Sequence, residues 1–246
     1  MMKLKRTNLI LLILLSLALT TPADAATSLV EAGKKVYEKY CVGCHGERGD
    51  GKGRGTKLLV VKPRDFTTGI YKFKSTLGDS LPTDEDLMRT LVRGLPGSSM
   101  PSYRLLSEVE RQSVIAYIKT FSPRWQKERP PSPVTIPSTP SYVGSTSSVE
   151  KGRAIYAGKG GCTVCHGEKG DGKGPLWNSL KDNWGNPVKP ANLERGVFRA
   201  GNSPQDLFRT LKVGVAGTPM PGFGGTLTDE EIWHLVSYIL SLKGGK

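Results

Sequence analysis

Two cysteines spaced by two residues, with a histidine directly after the second, occur in "CVGCHGERGDGKG" beginning at Cys41 and return in "CTVCHGEKGDGKG" beginning at Cys162. All 4 cysteines of the chain lie in these two segments. Three chemistries use such a pair. Zinc needs four ligands, so the two clusters would have to meet across a proline-rich stretch, and the glycine tails would have no role. A redox disulfide of the thioredoxin kind belongs with an α/β pattern, which the helix signals below do not supply. Covalent haem uses every part of the motif. Two thiols at this spacing reach the two vinyl groups along one porphyrin edge as thioethers, and the adjacent histidine gives the proximal nitrogen to iron. On this reading Cys41, Cys44 and His45 hold one haem c, and Cys162, Cys165 and His166 hold a second.

The elements that must position these residues are also repeated. Gly33, Val36 and Tyr37 answer Gly152, Ile155 and Tyr156, while "KPRDF" at Lys62 answers "KPANL" at Lys189. "DLMRTL" at Asp86 answers "DLFRTL" at Asp206, and "SMPSY" at Ser99 answers "PMPGF" at Pro219. A period of this length is the size of a small domain and far too long for a solenoid. Strand signals are few. Leu29 to Tyr40 and Val149 to Ala157 read as opening helices. Thr83, and Ser203 followed by Pro204, are N-cap signals for a middle helix. Ser107 with Glu110, and Thr228 with Glu231, form capping boxes ahead of closing helices. Between the copies, the Pro- and Ser-rich stretch from Ser122 reads as an extended, semi-rigid linker. The expected organisation is all-α: a signal peptide over 1–25, domains over 28–122 and 148–246, and a linker over 123–147. Three helices in such a small domain bury little by themselves, so a prosthetic group should fill each centre.

With these motifs and this duplication the chain resembles the class I c-type cytochromes, and in layout the periplasmic dihaem cytochromes of the c4 kind. The resemblance covers both domains but not the linker. It implies an axial methionine in a loop between the middle and last helices. Past the expected signal, three methionines remain. Met88 sits where the second copy has Phe208, a core position; Met100 and Met220 occupy matching places before a proline. Carried over residue by residue, the resemblance makes Met100 and Met220 the distal iron ligands. It also implies a proline carbonyl supporting each proximal histidine, for which Pro63 and Pro190 are the candidates, with Pro175 competing in the second copy. There the loop from the histidine to the proline is longer, 24 residues against 18, and carries Trp177 and Trp184. These two either cover haem edge or pack between domains. Gly33 and Tyr37 with Tyr117, and Gly152 and Tyr156 with Tyr238, fit the close helix crossing of that family.

Other motifs read as structure. The "GDGKG" tails lack the GK[ST] and helix of a phosphate loop, and read as backbone passing close to a flat haem face. His234, whose counterpart is Ser113, is expected on the surface.

Lys3, Lys5 and Arg6, an apolar run from Leu9 to Leu19 and Ala23-Asp24-Ala25 have the order of an export signal with a small-x-small cleavage site. The run is about half of the ~20 residues of a membrane span, which leaves an uncleaved anchor as the secondary expectation and the periplasm as the primary one. The formal net charge of +13 comes from dispersed lysines on an exported chain. That excludes a nucleic-acid binder and matches acidic patches on redox partners or an anionic membrane surface. Histidine on one side of iron and methionine on the other leave no site for oxygen, peroxide or substrate, so the resemblance implies electron transfer, as a free shuttle or within a membrane-bound respiratory complex. The competing class is an enzyme with one displaceable ligand, such as a dihaem peroxidase or a sulfur-compound dehydrogenase.

Overall fold

A computed structural model describes residues 22–244, with side chains from residue 26. The basic head and apolar run of the expected signal lie outside the described residues. Among the described residues the chain is helical, without strands beyond one isolated bridge between Lys181 and Pro187. The first domain runs α1 (Pro22–Tyr40), the one-turn α2 (Val42–His45), a 3-10 turn (Arg54–Leu58), α3 (Asp84–Arg93) and α4 (Glu108–Lys119). After the short α5 (Arg124–Lys127), the second repeats this with α6 (Thr146–Ala157), α7 (Thr163–His166), α8 (Pro204–Val213) and α9 (Asp229–Ser241). No described helix is long and apolar enough to cross a membrane.

The helix starts follow their caps. Ser107 with Glu110 and Thr228 with Glu231 close the expected boxes on α4 and α9. Thr83 with Asp86 and Ser203 with Asp206 close two more, on α3 and α8. Each box satisfies donors that a helix start leaves open.

In each domain the opening and closing helices cross at a glycine. A Cβ on Gly33 would stand 1.9 Å from the Ser113 carbonyl oxygen, and one on Gly152 would stand 2.0 Å from that of His234. Only glycine allows this approach. Beside it Tyr37 packs on Tyr117 with ring centroids 5.3 Å apart, and Tyr156 on Tyr238 at 5.1 Å.

This crossing corrects the expectation for His234. The residue is buried, with Nδ1 2.8 Å from Ser148 Oγ and Nε2 3.5 Å from Glu230 Oε1. Ser113 is buried as well. The face that reads as polar is the one turned into the α6–α9 crossing, where Ser148 and Ser237 supply hydrogen bonds.

Each domain has its own core. Tyr37, Phe66, Tyr71, Leu87, Leu91, Val114 and Ile118 belong to the first, and Tyr156, Leu207, Phe208, Leu211, Ile232, Trp233 and Leu235 to the second. The linker does not hold the domains apart. Val134 N–H donates to the Ser75 carbonyl of the first domain at 2.8 Å, and Gly144 N–H to Ser237 Oγ of the second at 3.3 Å. The domains meet directly. Arg93 of α3 pairs with Asp206 of α8 at 2.8 Å, and Lys72 with Asp182 at 3.5 Å.

Candidate functional site

The chain around each C-x-x-C-H makes a single helical turn, in which the His45 N–H donates to the Cys41 carbonyl at 2.9 Å and that of His166 to Cys162 at 2.8 Å. Residues i, i+3 and i+4 of such a turn share a face, so Cys41, Cys44 and His45 point the same way, as do Cys162, Cys165 and His166. Gly46 and Gly167, with φ of 80° and 79°, stop the turn in a conformation other side chains resist. Tyr37 Oη donates to the Gly46 carbonyl and Tyr156 Oη to that of Gly167, each at 2.7 Å. The helix crossing is thereby bonded to the end of the motif.

The glycine tail then folds back onto this turn. A Cβ on Gly53 would meet the Gly43 carbonyl oxygen at 2.4 Å, and one on Gly174 the Thr163 oxygen at 2.2 Å. The backbone these glycines approach is that of the motif itself.

His45 Nδ1 lies 3.0 Å from the Arg64 carbonyl oxygen, and His166 Nδ1 2.9 Å from that of Ala191. The supporting carbonyls are therefore one residue beyond Pro63 and Pro190. Carbonyls only accept, so both Nδ1 atoms carry the proton and each Nε2 keeps its lone pair. Burial pushes both imidazoles below their usual pKa, against the pull of these hydrogen bonds, and so favours the neutral ring that ligates metal. Phe66 stacks on His45 at 4.4 Å; its counterpart is Leu193. Burial pushes the Cys41 thiol up to about 12 and the Cys162 thiol up to about 11.

Met100 and Met220 sit in matching turns. The Met100 carbonyl accepts from Leu95 N–H and the Met220 carbonyl from Val215 N–H, both at 3.0 Å. Their own amides donate to Ser98 Oγ at 3.2 Å and Thr218 Oγ1 at 3.3 Å. Both side chains are half-buried. Met100 packs against the cluster that contains Cys41, and Met220 against the cluster on which Cys162 packs.

A family model described as "Cytochrome C oxidase, cbb3-type, subunit III" matches residues 28–118 and again residues 147–239. The chain belongs to this cytochrome c family. It is a duplicated class I c-type cytochrome, and the cofactor is covalently bound haem c, two for two domains. A cbb3-type cytochrome c oxidase subunit CcoP from Azospirillum brasilense is 27% identical over 225 residues, 91% of this chain and 65% of that protein. A thiosulfate dehydrogenase from Stutzerimonas stutzeri (strain A1501) is 28% identical over 241 residues, 89% and 69% of the two chains. This chain thus spans about two thirds of the length of those relatives. Among solved structures, a chain of the Kuenenia stuttgartiensis reducing HAO-like protein complex Kustc0457/Kustc0458 is similar, with 41% identity and a TM-score of 0.84. That similarity covers 87% of this chain and 96% of the other.

The residues present fit haem c. Each domain offers two thiols, a neutral imidazole and a thioether. Tyr71 Oη in the first domain, Trp125 Nε1 of α5 packed against that domain's core, and Arg209 Nε in the second domain are buried without a hydrogen-bond partner, and such donors call for an acceptor. Lys74, Arg89, Arg93, Arg199 and Arg209 line a cleft between the domains. Burial pushes Arg199 down and Lys74 down to about 8. These cations suit carboxylates of the kind haem carries. The four residue roles just named, Arg64, Ala191, Tyr71 and Trp125, escape a motif reading. The matching "KPRDF" and "KPANL" segments are the one signal in the sequence that points to the first two.

Proposed function

We propose that this cytochrome is an exported, periplasmic dihaem electron carrier that serves as the electron-transfer subunit of a redox complex. Residues 1–25 are the export signal, 28–122 and 148–246 the haem domains, and 123–147 the connection between them. Cys41 and Cys44 would attach one haem and Cys162 and Cys165 the other; His45 with Met100, and His166 with Met220, would hold the two irons. The observation that carries this reading is the same arrangement in both domains: a motif histidine whose Nδ1 is held by a backbone carbonyl, and a methionine held in a bonded turn that packs against the same core as the motif.

Bound haem c supplies one-electron exchange at iron, with a methionine ligand raising the potential. The chain does the rest. The Arg64 and Ala191 carbonyls hold each imidazole in one tautomer and one orientation, as partners of metal-bound histidine do. With Met100 and Met220 bound to iron, their pinned turns would leave water and peroxide no coordination position. Basic surface steers acidic partner patches into place. Similarity along nearly the whole length of a chain from a reducing HAO-like protein complex supports assembly with a larger redox protein. The CcoP relatives support the same role in a respiratory complex.

The thiosulfate dehydrogenase relative favours a second reading, an enzyme with one displaceable axial ligand. Spectroscopy of the purified holoprotein separates the two. A carrier shows two low-spin haems per chain that survive acid-acetone extraction, a weak far-red sulfur-to-iron band when oxidised, and poor carbon monoxide binding when reduced. Stoichiometric carbon monoxide binding at one haem, or rapid turnover of peroxide or thiosulfate, gives the enzyme reading the lead.

A further inference from the structure

The longer loop of the second domain, over 178–188, closes on the first domain at a specific place. Asp182 organises it. Its Oδ1 accepts from the backbone amides of Trp184 at 3.1 Å and Asn186 at 2.9 Å, and its N–H donates to the Asn186 carbonyl at 2.9 Å. The carboxylate is buried, and its other oxygen faces Lys72 of the first domain at 3.5 Å. Trp184 lies with its ring 4.1 Å from the Arg64 guanidinium. Arg64 is the residue whose carbonyl fixes His45. The same ring abuts Gly217 with its edge, where a Cβ would fall 2.5 Å from it, and the neighbouring Asn183 N–H donates to the Gly217 carbonyl at 3.0 Å. Gly217 lies within the turn that presents Met220. One tryptophan therefore touches both the support of the first proximal histidine and the turn of the second distal methionine.

Charge makes this contact more than packing. Arg64 is drawn partly out of water beneath the Trp184 ring, with Asp182 and Asp65 as the nearby anions. Lys72 is likewise pushed down by burial, with Arg64 and Arg199 opposing its charge and Asp182 favouring it. The local balance is three cations, Arg64, Lys72 and Arg199, against two anions, Asp182 and Asp65, and the Trp184 ring covers Arg64. A cation shielded from water next to a redox centre disfavours the ferric state, and its influence is far larger than that of the same charge in solvent. We propose that the Asp182–Trp184 clasp of the second domain sets the redox potential of the first domain's haem, acting through Arg64. The two domains are then electrostatically coupled through a loop that only the second copy possesses. Asp182 and Trp184 are positioning residues in this scheme and touch no ligand atom of the first site.

The proposal rests on His45 and Met100 as ligands of the first haem, and the test keeps the two ideas apart. The holoprotein and its variants are titrated by spectroelectrochemistry, with the first haem assigned as the one whose wave is displaced by Met100→Ala. Asp182→Asn keeps an oxygen for the Trp184 and Asn186 amides but removes the anion, so the first potential rises. Trp184→Ala admits water to the guanidinium, which screens the excess positive charge, so the first potential falls. Trp184→Phe keeps an aromatic cover and stays near the parent. Opposite senses from two substitutions in one loop are a signature that mere loosening does not give. If the parent shows two low-spin haems with the sulfur-to-iron band, yet both variants leave the first potential unmoved or shift it the same way, the clasp proposal is overturned. If the parent lacks those signatures, the ligand assignment has failed instead.

Discussion

At the scale of single residues, the axial methionines separate a carrier from an enzyme. Met100→Ala removes the thioether that favours ferrous iron, so the affected haem moves toward high spin, its potential drops and its reduced form binds carbon monoxide, while the second haem keeps its spectrum. Absorption spectra with and without carbon monoxide check this. The turn itself should survive, because the bonds that form it use the Met100 backbone and not its side chain. The motif spacing was legible at this scale, since i, i+3 and i+4 on one turn is a property of local chain geometry. The carbonyl that holds each histidine was not. Pro63 and Pro190 stand in the right loop, but hydrogen-bond direction depends on backbone angles that turn the next carbonyl, of Arg64 or Ala191, toward the ring.

At the scale of elements, the crossing of opening and closing helices bears the load of each domain. Gly152→Ala places a methyl 2.0 Å from the His234 carbonyl oxygen. Backbone cannot yield as a side chain tip does, so the helices must part, at a cost at the upper end of the roughly 1–3 kcal/mol typical of overpacking. Tyr156→Phe loses only the bond to the Gly167 carbonyl, and should cost about 1 kcal/mol. Thermal melts of the holoprotein should therefore rank Gly152→Ala well below Tyr156→Phe. The capping boxes and the Gly/Tyr pairs were readable from sequence because each is a short-range signal or a repeated pair. His234 was misjudged because its burial comes from α6, and a lone histidine among apolar neighbours carries no local mark of the Ser148 that meets it.

At the scale of the whole molecule, Asp206 joins the domains. Burial alone would raise its carboxyl pKa, but hydrogen bonds from Arg209, Ser203 and Arg93 outweigh that and hold it down at about 2. A carboxyl depressed in the folded state contributes its stabilisation in full above its ordinary value of 3.8, and loses it as pH falls through about 2. Between those values the holoprotein should lose stability and its domains should separate, seen as a falling denaturation midpoint and a growing radius in small-angle scattering. Asp206→Asn should remove that part of the acid dependence. At neutral pH it should also cost about 3 kcal/mol, because Arg209 is left largely buried without its partner.

The amino-acid sequence by itself determined the duplication, the all-helical class and the haem c cofactor, because thioether spacing, helix caps and internal repeats are written within a few residues of one another. Tertiary structure alone decided how the two halves meet. Arg93 and Asp206, Lys72 and Asp182, and Arg64 and Trp184 are far apart in the chain. Nothing in the local pattern of a lysine, an aspartate or a tryptophan names its partner. Their pairing follows from desolvation as the domains close, when each buried charge must find a counter-charge or an aromatic face, and that condition exists only in three dimensions.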